Sequence, residues 1–147
     1  MSSAPSLPMA AALLVPHRPP MLLVSELVAC DGDDGEAVAR LDASCPFATA
    51  DGLLQEVALI ELMAQTCAAA QGYRALSLNQ PPRVGYLVGV SKTELHGQLR
   101  VGETCHIHTR VLGVFGTFAV TEATVARDGQ VIAKGTVKTW ERDSDTQ

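Results

Sequence analysis

The stretch IELMAQTCAAA, residues 60–70, sets one carboxylate, Glu61, among Ile, Leu, Met, Ala, Cys, Gln and Thr. A carboxylate in such company is costly to bury unpaired, so it must reach water, find a partner or do chemistry. The wider segment, residues 53–73, holds no proline and no glycine before Gly72, and its Leu, Glu, Met, Gln and Ala content predicts one long helix. Asp51 is placed to cap the start and Gly72 to stop the end. At about 100° per residue, Leu54, Val57, Ala58, Ala64, Gln65 and Ala68 share the face of Glu61, while Leu59, Met63 and Ala70 lie opposite. A helix that is apolar nearly all round is covered on most sides, and the small residues Ala58, Ala64 and Ala68 allow a sheet or a second helix to come close.

On either side of this helix the chain reads as strand. Residues 22–30 and 36–43 are β-rich and separated by DGDDG, whose Gly and Asp residues suit a hairpin turn. After the loop NQPPRVG, extended segments follow at residues 86–94, 103–114, 117–127 and 130–140, the last two joined by RDGQ. In the final strand Val131, Ala133, Gly135 and Val137 make a small apolar face. Two strands, a long helix and four strands predict an α+β fold: an antiparallel sheet, its runs connected as hairpins, wrapped around one central helix.

With 147 residues, 47% of them hydrophobic and 18% charged, the chain has the material for a single core. The expected layout is a flexible extension over residues 1–13, one domain over 14–141 and a polar tail over 142–147; residues 10–14 could form a short helical turn ended by Pro16. The apolar run 9–15 is too short to span a bilayer and lacks a basic flank, so it reads as neither a signal peptide nor a membrane helix. Cys30, Cys45, Cys67 and Cys105 form no CxxC pair, which points to reduced thiols and the cytoplasm. A net charge of −5 without a Lys or Arg block, and only 4% aromatics, argue against nucleic acid as a partner.

Four stretches in this order resemble the hotdog-fold FabZ-type 3-hydroxyacyl-[acyl-carrier-protein] dehydratases: PHRPPMLLVSEL at 16–27, PF at 46–47, ELMAQ at 61–65, and VGYLVGVSKTEL at 84–95 with VGE at 101–103. The resemblance implies an α+β hotdog fold, no cofactor and no metal, a dimer whose sites use residues of both protomers, and an acyl carrier protein as the bearer of the substrate. It also implies removal of water from a 3-hydroxyacyl thioester to give a 2-enoyl thioester, in fatty acid or polyene biosynthesis. The α-proton of a thioester is weakly acidic and hydroxide is a poor leaving group, so a base and an acid must act together. In the family a loop histidine takes the α-proton and the helix glutamate acts on the β-hydroxyl. By resemblance Glu61 takes the second role, which desolvation of a buried carboxyl would suit, and Gln65, Phe47, Gly85 and Tyr86 fall at substrate-binding positions.

The match departs from the family where the base should be. FATADGLLQEVALIE, residues 47–61, is shorter than the family loop and holds no histidine. Three explanations stand. His17 of PHR or Asp51 could serve, although His17 matches a family residue of structural character and Asp51 a helix cap. A second hotdog subunit could supply the histidine in a heterodimer, as in the short-loop aryl-polyene-type branch that this sequence resembles more closely than the housekeeping enzyme. Or the activity could be that of a hotdog thioesterase, whose helix carboxylate attacks the acyl thioester or activates water on it; a non-catalytic acyl-binding partner subunit is the reading from another class.

The remaining candidates carry less. His106 and His108 are two apart on a strand, hence on one face, with Cys105 pointing away and no second ligand pair, so a solvated face is favoured over a metal site. His96 sits beside Gly97 in a loop and belongs to no motif. Cys45 and Cys67 lack an evident base. Arg18, Arg74, Arg83 and Lys92 are candidates for a basic patch facing an acidic carrier protein.

Overall fold

A computed structural model describes residues 4–81 and 85–142. A two-residue strand β1 (Met9–Ala10) and a 3-10 turn (Ala11–Leu13) lead into β2 (Glu26–Asp31) and β3 (Asp34–Arg40). Helix α1 (Glu56–Ser77) follows, then β4 (Gly85–Leu95), β5 (Thr104–Phe115), β6 (Phe118–Arg127) and β7 (Gln130–Glu141). The strands form one antiparallel sheet in the order β1-β2-β3-β5-β6-β7-β4, with α1 packed on one face. This is the α+β hotdog fold that the sequence predicts.

Two expectations about the strands change. Residues 9–13 are not an extension: Met9 and Ala10 pair with Leu27 and Glu26, and Ala11 is fully buried. A strand of two residues has no periodicity to read. The hairpin rule holds for β2–β3, β5–β6 and β6–β7 but not for β4, which crosses to the far edge and pairs with β7. At the β6–β7 turn Asp128 and Gly129 both take positive φ, 52° and 78°, as a two-residue hairpin of matching twist requires.

The helix bounds also move. The chain between Phe47 and Gln55 folds into its own turn. Thr49 N donates to Leu53 O, Gln55 N to Phe47 O, and Leu54 N to Leu99 O, so α1 starts at Glu56 with Gln55 as N-cap. Asp51 is therefore not the cap; its carboxylate accepts from the Thr49 hydroxyl inside that turn. Gly72 does not stop the helix either. A Cβ there would overlap the Leu14 carbonyl oxygen and stand 3.0 Å from its carbon, so the glycine lets the chain before β2 cross the helix.

The core lies between α1 and the sheet. Leu62, Met63, Ala69 and Ala70 are fully buried, as are Leu27, Ala37, Ile107, Ala123, Ala133 and Val137 on the strands. Small sheet residues bring the helix close: a Cβ on Gly135 would stand 3.5 Å from Met63 Sδ. Burying Leu62 and Met63 contributes about 2–3 kcal/mol each. One side of α1 is not covered by its own chain. Val57 is 47% exposed, and Ile60, Glu61, Ala64, Ala68 and Gln71 are partly exposed along the same stripe. Ala58 and Gln65, assigned to that face by the helical wheel, are instead buried.

Candidate active site

Glu61 sits in the second turn of α1 on this half-open stripe, its side chain 24% exposed. Two side chains converge on it. His17, in the loop before β2, places Nε2 3.7 Å from Glu61 Oε1. Gln65, one helical turn on, donates from Nε2 to the same oxygen at 2.8 Å. The same Nε2 also donates to Met21 O at 2.8 Å, while Gln65 Oε1 accepts from Leu23 N at 2.8 Å and Val24 N at 3.2 Å. The loop carrying His17 is thus tied to the helix carrying Glu61.

The same loop is braced from its other side. Arg18 donates from Nη1 to Val15 O at 2.9 Å and to His17 O at 2.6 Å, so this cation is engaged by backbone. His17 Nδ1 is buried without a hydrogen-bond partner, the one such side-chain atom among the described residues. Its ring accordingly presents only Nε2 to the site.

Of the substrate-binding residues expected, Gln65 lies against Glu61 but is buried, Phe47 packs at the edge of the core, and Gly85 and Tyr86 lie elsewhere in the chain. Gln65 is 1% exposed and every hydrogen-bonding position of its amide is taken, so within this chain it offers a substrate nothing. Phe47 packs against the core, its carbonyl holding Gln55 N. Gly85 opens β4 beside Gln71, ten residues and about 15 Å along the helix from Glu61. Tyr86 stacks on Trp140, ring centroids 5.6 Å apart, on the face of the sheet opposite the helix. The chain brings Glu61, His17 and Gln65 together and leaves Gly85 and Tyr86 apart. Strand register separates these, and no motif reveals register.

Other groups are spoken for. Asp51 is exposed, and the Thr49 hydroxyl holds its carboxyl below the usual range, which suits a turn and not a base. Burial pushes the Cys67 thiol up to about 12 and Cys105 to about 11, so neither supplies a thiolate. His106 and His108 point away from the helix, His108 Nε2 lying 4.0 Å from Glu36 Oε1. Exposed His96 lies 3.6 Å from Glu94. Among the described residues no three His, Cys, Asp or Glu side chains gather as metal ligands, and no helix is long and apolar enough to cross a membrane. Arg74 is paired with Asp33 at 2.6 Å, Lys92 is exposed at a bulge of β4, and Arg83 lies outside the described residues.

Its place one turn after Glu61 in the ELMAQ motif predicts that Gln65 bonds the carboxyl or a neighbouring backbone group, and it does both; that the backbone is that of Met21, Leu23 and Val24, far off in sequence, has no signal beyond the joint presence of the PHRPPMLL and ELMAQ stretches.

Comparison with known proteins gives the family and the fold. The family model described as "ApeP-like: ApeP dehydratase" matches residues 9–147. The 3-hydroxyacyl-[acyl-carrier-protein] dehydratase FabZ of Streptococcus thermophilus is 29% identical over 130 residues, covering 84% of this chain and 88% of that protein. FabZ of Streptococcus pneumoniae is also 29% identical, with 84% and 89% covered. Among solved structures, the dehydratase heterocomplex ApeI:P from Xenorhabdus doucetiae superposes with a TM-score of 0.85 at 21% identity, over 95% of this chain and 94% of that one. A hypothetical thioesterase with coenzyme A from Streptococcus pneumoniae gives 0.64 at 13% identity, over 82% and 88%. These structural likenesses show the fold.

Proposed function

The chain belongs to the ApeP-like dehydratase family, and from that premise we propose that it dehydrates 3-hydroxyacyl thioesters borne by an acyl carrier protein in the cytoplasm. It does so as one half of a composite site with a second hotdog subunit. Glu61 donates a proton to the β-hydroxyl as the C–O bond breaks; a base takes the α-proton, the C=C bond forms, and water leaves. Solvent then returns a proton to Glu61 and removes one from the base.

The observation that carries this reading is the half-built state of the site. Glu61 is held by Gln65 and faced by His17, yet it stands on an open apolar stripe, and the loop before it holds no histidine. Leu87 and Val88 on the edge strand β4 are 43% and 50% exposed, a second apolar surface that a partner would cover. The ApeI:P structure is a heterocomplex by name, which supports a hetero-partner. The FabZ relatives act by name on carrier-protein substrates, which supports the substrate class. Four unpaired thiols suit a reducing compartment.

The 3.7 Å approach of His17 Nε2 to Glu61 favours one further reading, in which His17 is itself the base and the chain acts alone. Assaying the purified chain and its His17→Gln variant on a 3-hydroxyacyl thioester, each alone and each with a histidine-bearing hotdog partner, separates the two. The composite reading expects enoyl product only in the mixtures. Product from the chain alone that His17→Gln abolishes supports the other, and free acid in place of enoyl product overturns both in favour of a thioesterase.

A further inference from the structure

The outer face of the sheet, turned away from α1, carries a row of aromatic side chains that no single stretch of sequence shows. Register sets Phe115 of β5 opposite Phe118 of β6, Phe118 opposite Trp140 of β7, and Trp140 opposite Tyr86 of β4. Residues directly opposite in a ladder project from the same face, so four of the chain's six aromatic residues form one ridge across four strands. Tyr86 stacks on Trp140 with ring centroids 5.6 Å apart. A Cβ on Gly113 would stand 3.0 Å from Phe115 Cζ, so the glycine lets that ring lie along its own strand. The ridge is ordered by these contacts and still open: Phe115 is 67% exposed, Tyr86 49% and Phe118 43%. An aromatic side chain offers about 150–250 Å² to bury, so the ridge leaves about 300–400 Å² of apolar surface in water, a patch of the size that often marks an interaction site.

We propose that this ridge is the contact between two copies of the chain, packed sheet to sheet about a two-fold axis that runs along the strands. Under that operation Phe115 meets Tyr86 of the second copy and Phe118 meets its Trp140, so one row supplies both halves of the contact, as an isologous interface requires. The neighbouring outer positions follow the same pairing: Lys138 opposes Val120 of the second copy, Glu122 its Thr136, and Arg110 its Ser91. No like charges are brought together. The face carries both signs, Glu122 lying 3.6 Å from Arg110 and 3.8 Å from Lys134, whereas the chain as a whole has a net charge of −5. Two acidic chains can therefore approach on it without mutual repulsion, and it offers no basic field to draw an acidic partner. Counted on both copies, the ridge supplies about 600–800 Å², and a polar rim carries this to about 1,200 Å², the low end of specific interfaces. Glu61 and its open stripe lie on the helix side of the sheet, so a second hotdog subunit and a second copy bind without competing, and the inference stands whichever activity Glu61 has.

Trp140 is the only tryptophan of the chain, so its emission reports this face and no other. Raising the purified chain from about 1 to about 100 µM, the range in which an interface of modest area associates, should double the mass of the sedimenting species. Trp140 emission should shift to shorter wavelength with the same midpoint. Phe115→Ser, at an exposed position, should raise the dissociation constant by at least about 30-fold, as loss of a central interface aromatic does, and hold the emission at its dilute value. A mass that doubles while the emission stays fixed puts the contact on another surface and overturns the proposal. An emission shift without a change in mass overturns it too, as does a mass that stays constant to about 100 µM or a folded Phe115→Ser protein that associates like the wild type. If Phe115→Ser does not fold, iodide quenching of Trp140 in the wild type decides: protection that grows with association supports the contact, and quenching independent of association overturns it.

Discussion

Gly72→Ala sets two effects of opposite sign against each other. In a helix interior, Ala is favoured over Gly by about 1 kcal/mol, so a solvent-facing Gly72 would predict stabilisation. Here the new methyl would overlap the Leu14 carbonyl oxygen and lie 3.0 Å from its carbon and 3.3 Å from its Cα. Backbone cannot swing aside as a side-chain tip can. Leu14 N and Val15 N both donate to Ala11 O, and Ala11, Leu14 and Val15 are buried, so the segment resists displacement. Overpacking of this kind costs about 1–3 kcal/mol, and more where the neighbour cannot yield. Taking the upper part of that range and subtracting the propensity gain leaves a net loss of about 1–2 kcal/mol. For a domain of this size that lowers Tm by about 2–8 °C. Urea unfolding followed by circular dichroism measures it directly. A Gly72→Ala protein as stable as the wild type, or more so, refutes the close crossing of Leu14 over α1 and with it the account of why the helix runs past residue 72.

Further outcomes follow from buried polar groups. Thr109→Val removes the hydroxyl that accepts from Gly35 N at 3.1 Å in the buried centre of the sheet, and should cost about 1–3 kcal/mol in urea denaturation, the price of an unpaired buried donor; an unchanged midpoint contradicts this. Desolvation raises the Cys67 thiol from its ordinary 9.0 to about 12 and Cys105 to about 11, so the unfolded chain ionises these thiols first. Their contribution to stability is complete below pH about 9 and is lost as pH rises towards about 11 to 12. Urea midpoints at pH 8, 9, 10 and 11 should fall more steeply for the wild type than for Cys67→Ala, and parallel curves would count against the burial of that thiol.

The order of elements is legible because the helix, though apolar nearly all round, is marked by its length, its Ala, Leu, Met, Glu and Gln content and its lack of proline, and the last four strands by extended runs, three of the boundaries being turn residues. What escaped reading depends on contacts distant in sequence. Gly72 reads as a helix stop until Leu14 is seen against it, and Asp51 as a cap until Thr49 takes its carboxylate. Met9 and Ala10 join the sheet only because Leu27 and Glu26 lie opposite them. Within the site, Glu61, Gln65 and His17 were nameable from two motifs, and the chain does bring them together. Gly85 and Tyr86 were named the same way, but strand register sends Tyr86 to the outer face and Gly85 to the far end of α1. A helical wheel places a residue by angle and not by what covers it, so it groups Gln65 with the half-open face of Glu61 although Gln65 is buried.

We place Glu61 as the acid of a dehydratase site completed by a second subunit. The most direct measurement is the rate of enoyl product from a 3-hydroxyacyl thioester on carrier protein, with wild type or Glu61→Gln each mixed with a histidine-bearing hotdog partner. Gln retains the size of the side chain but has no transferable carboxyl proton, so the rate should fall by about 10²- to 10⁴-fold while the complex still assembles. A Glu61→Gln mixture that turns over at the wild-type rate contradicts the account.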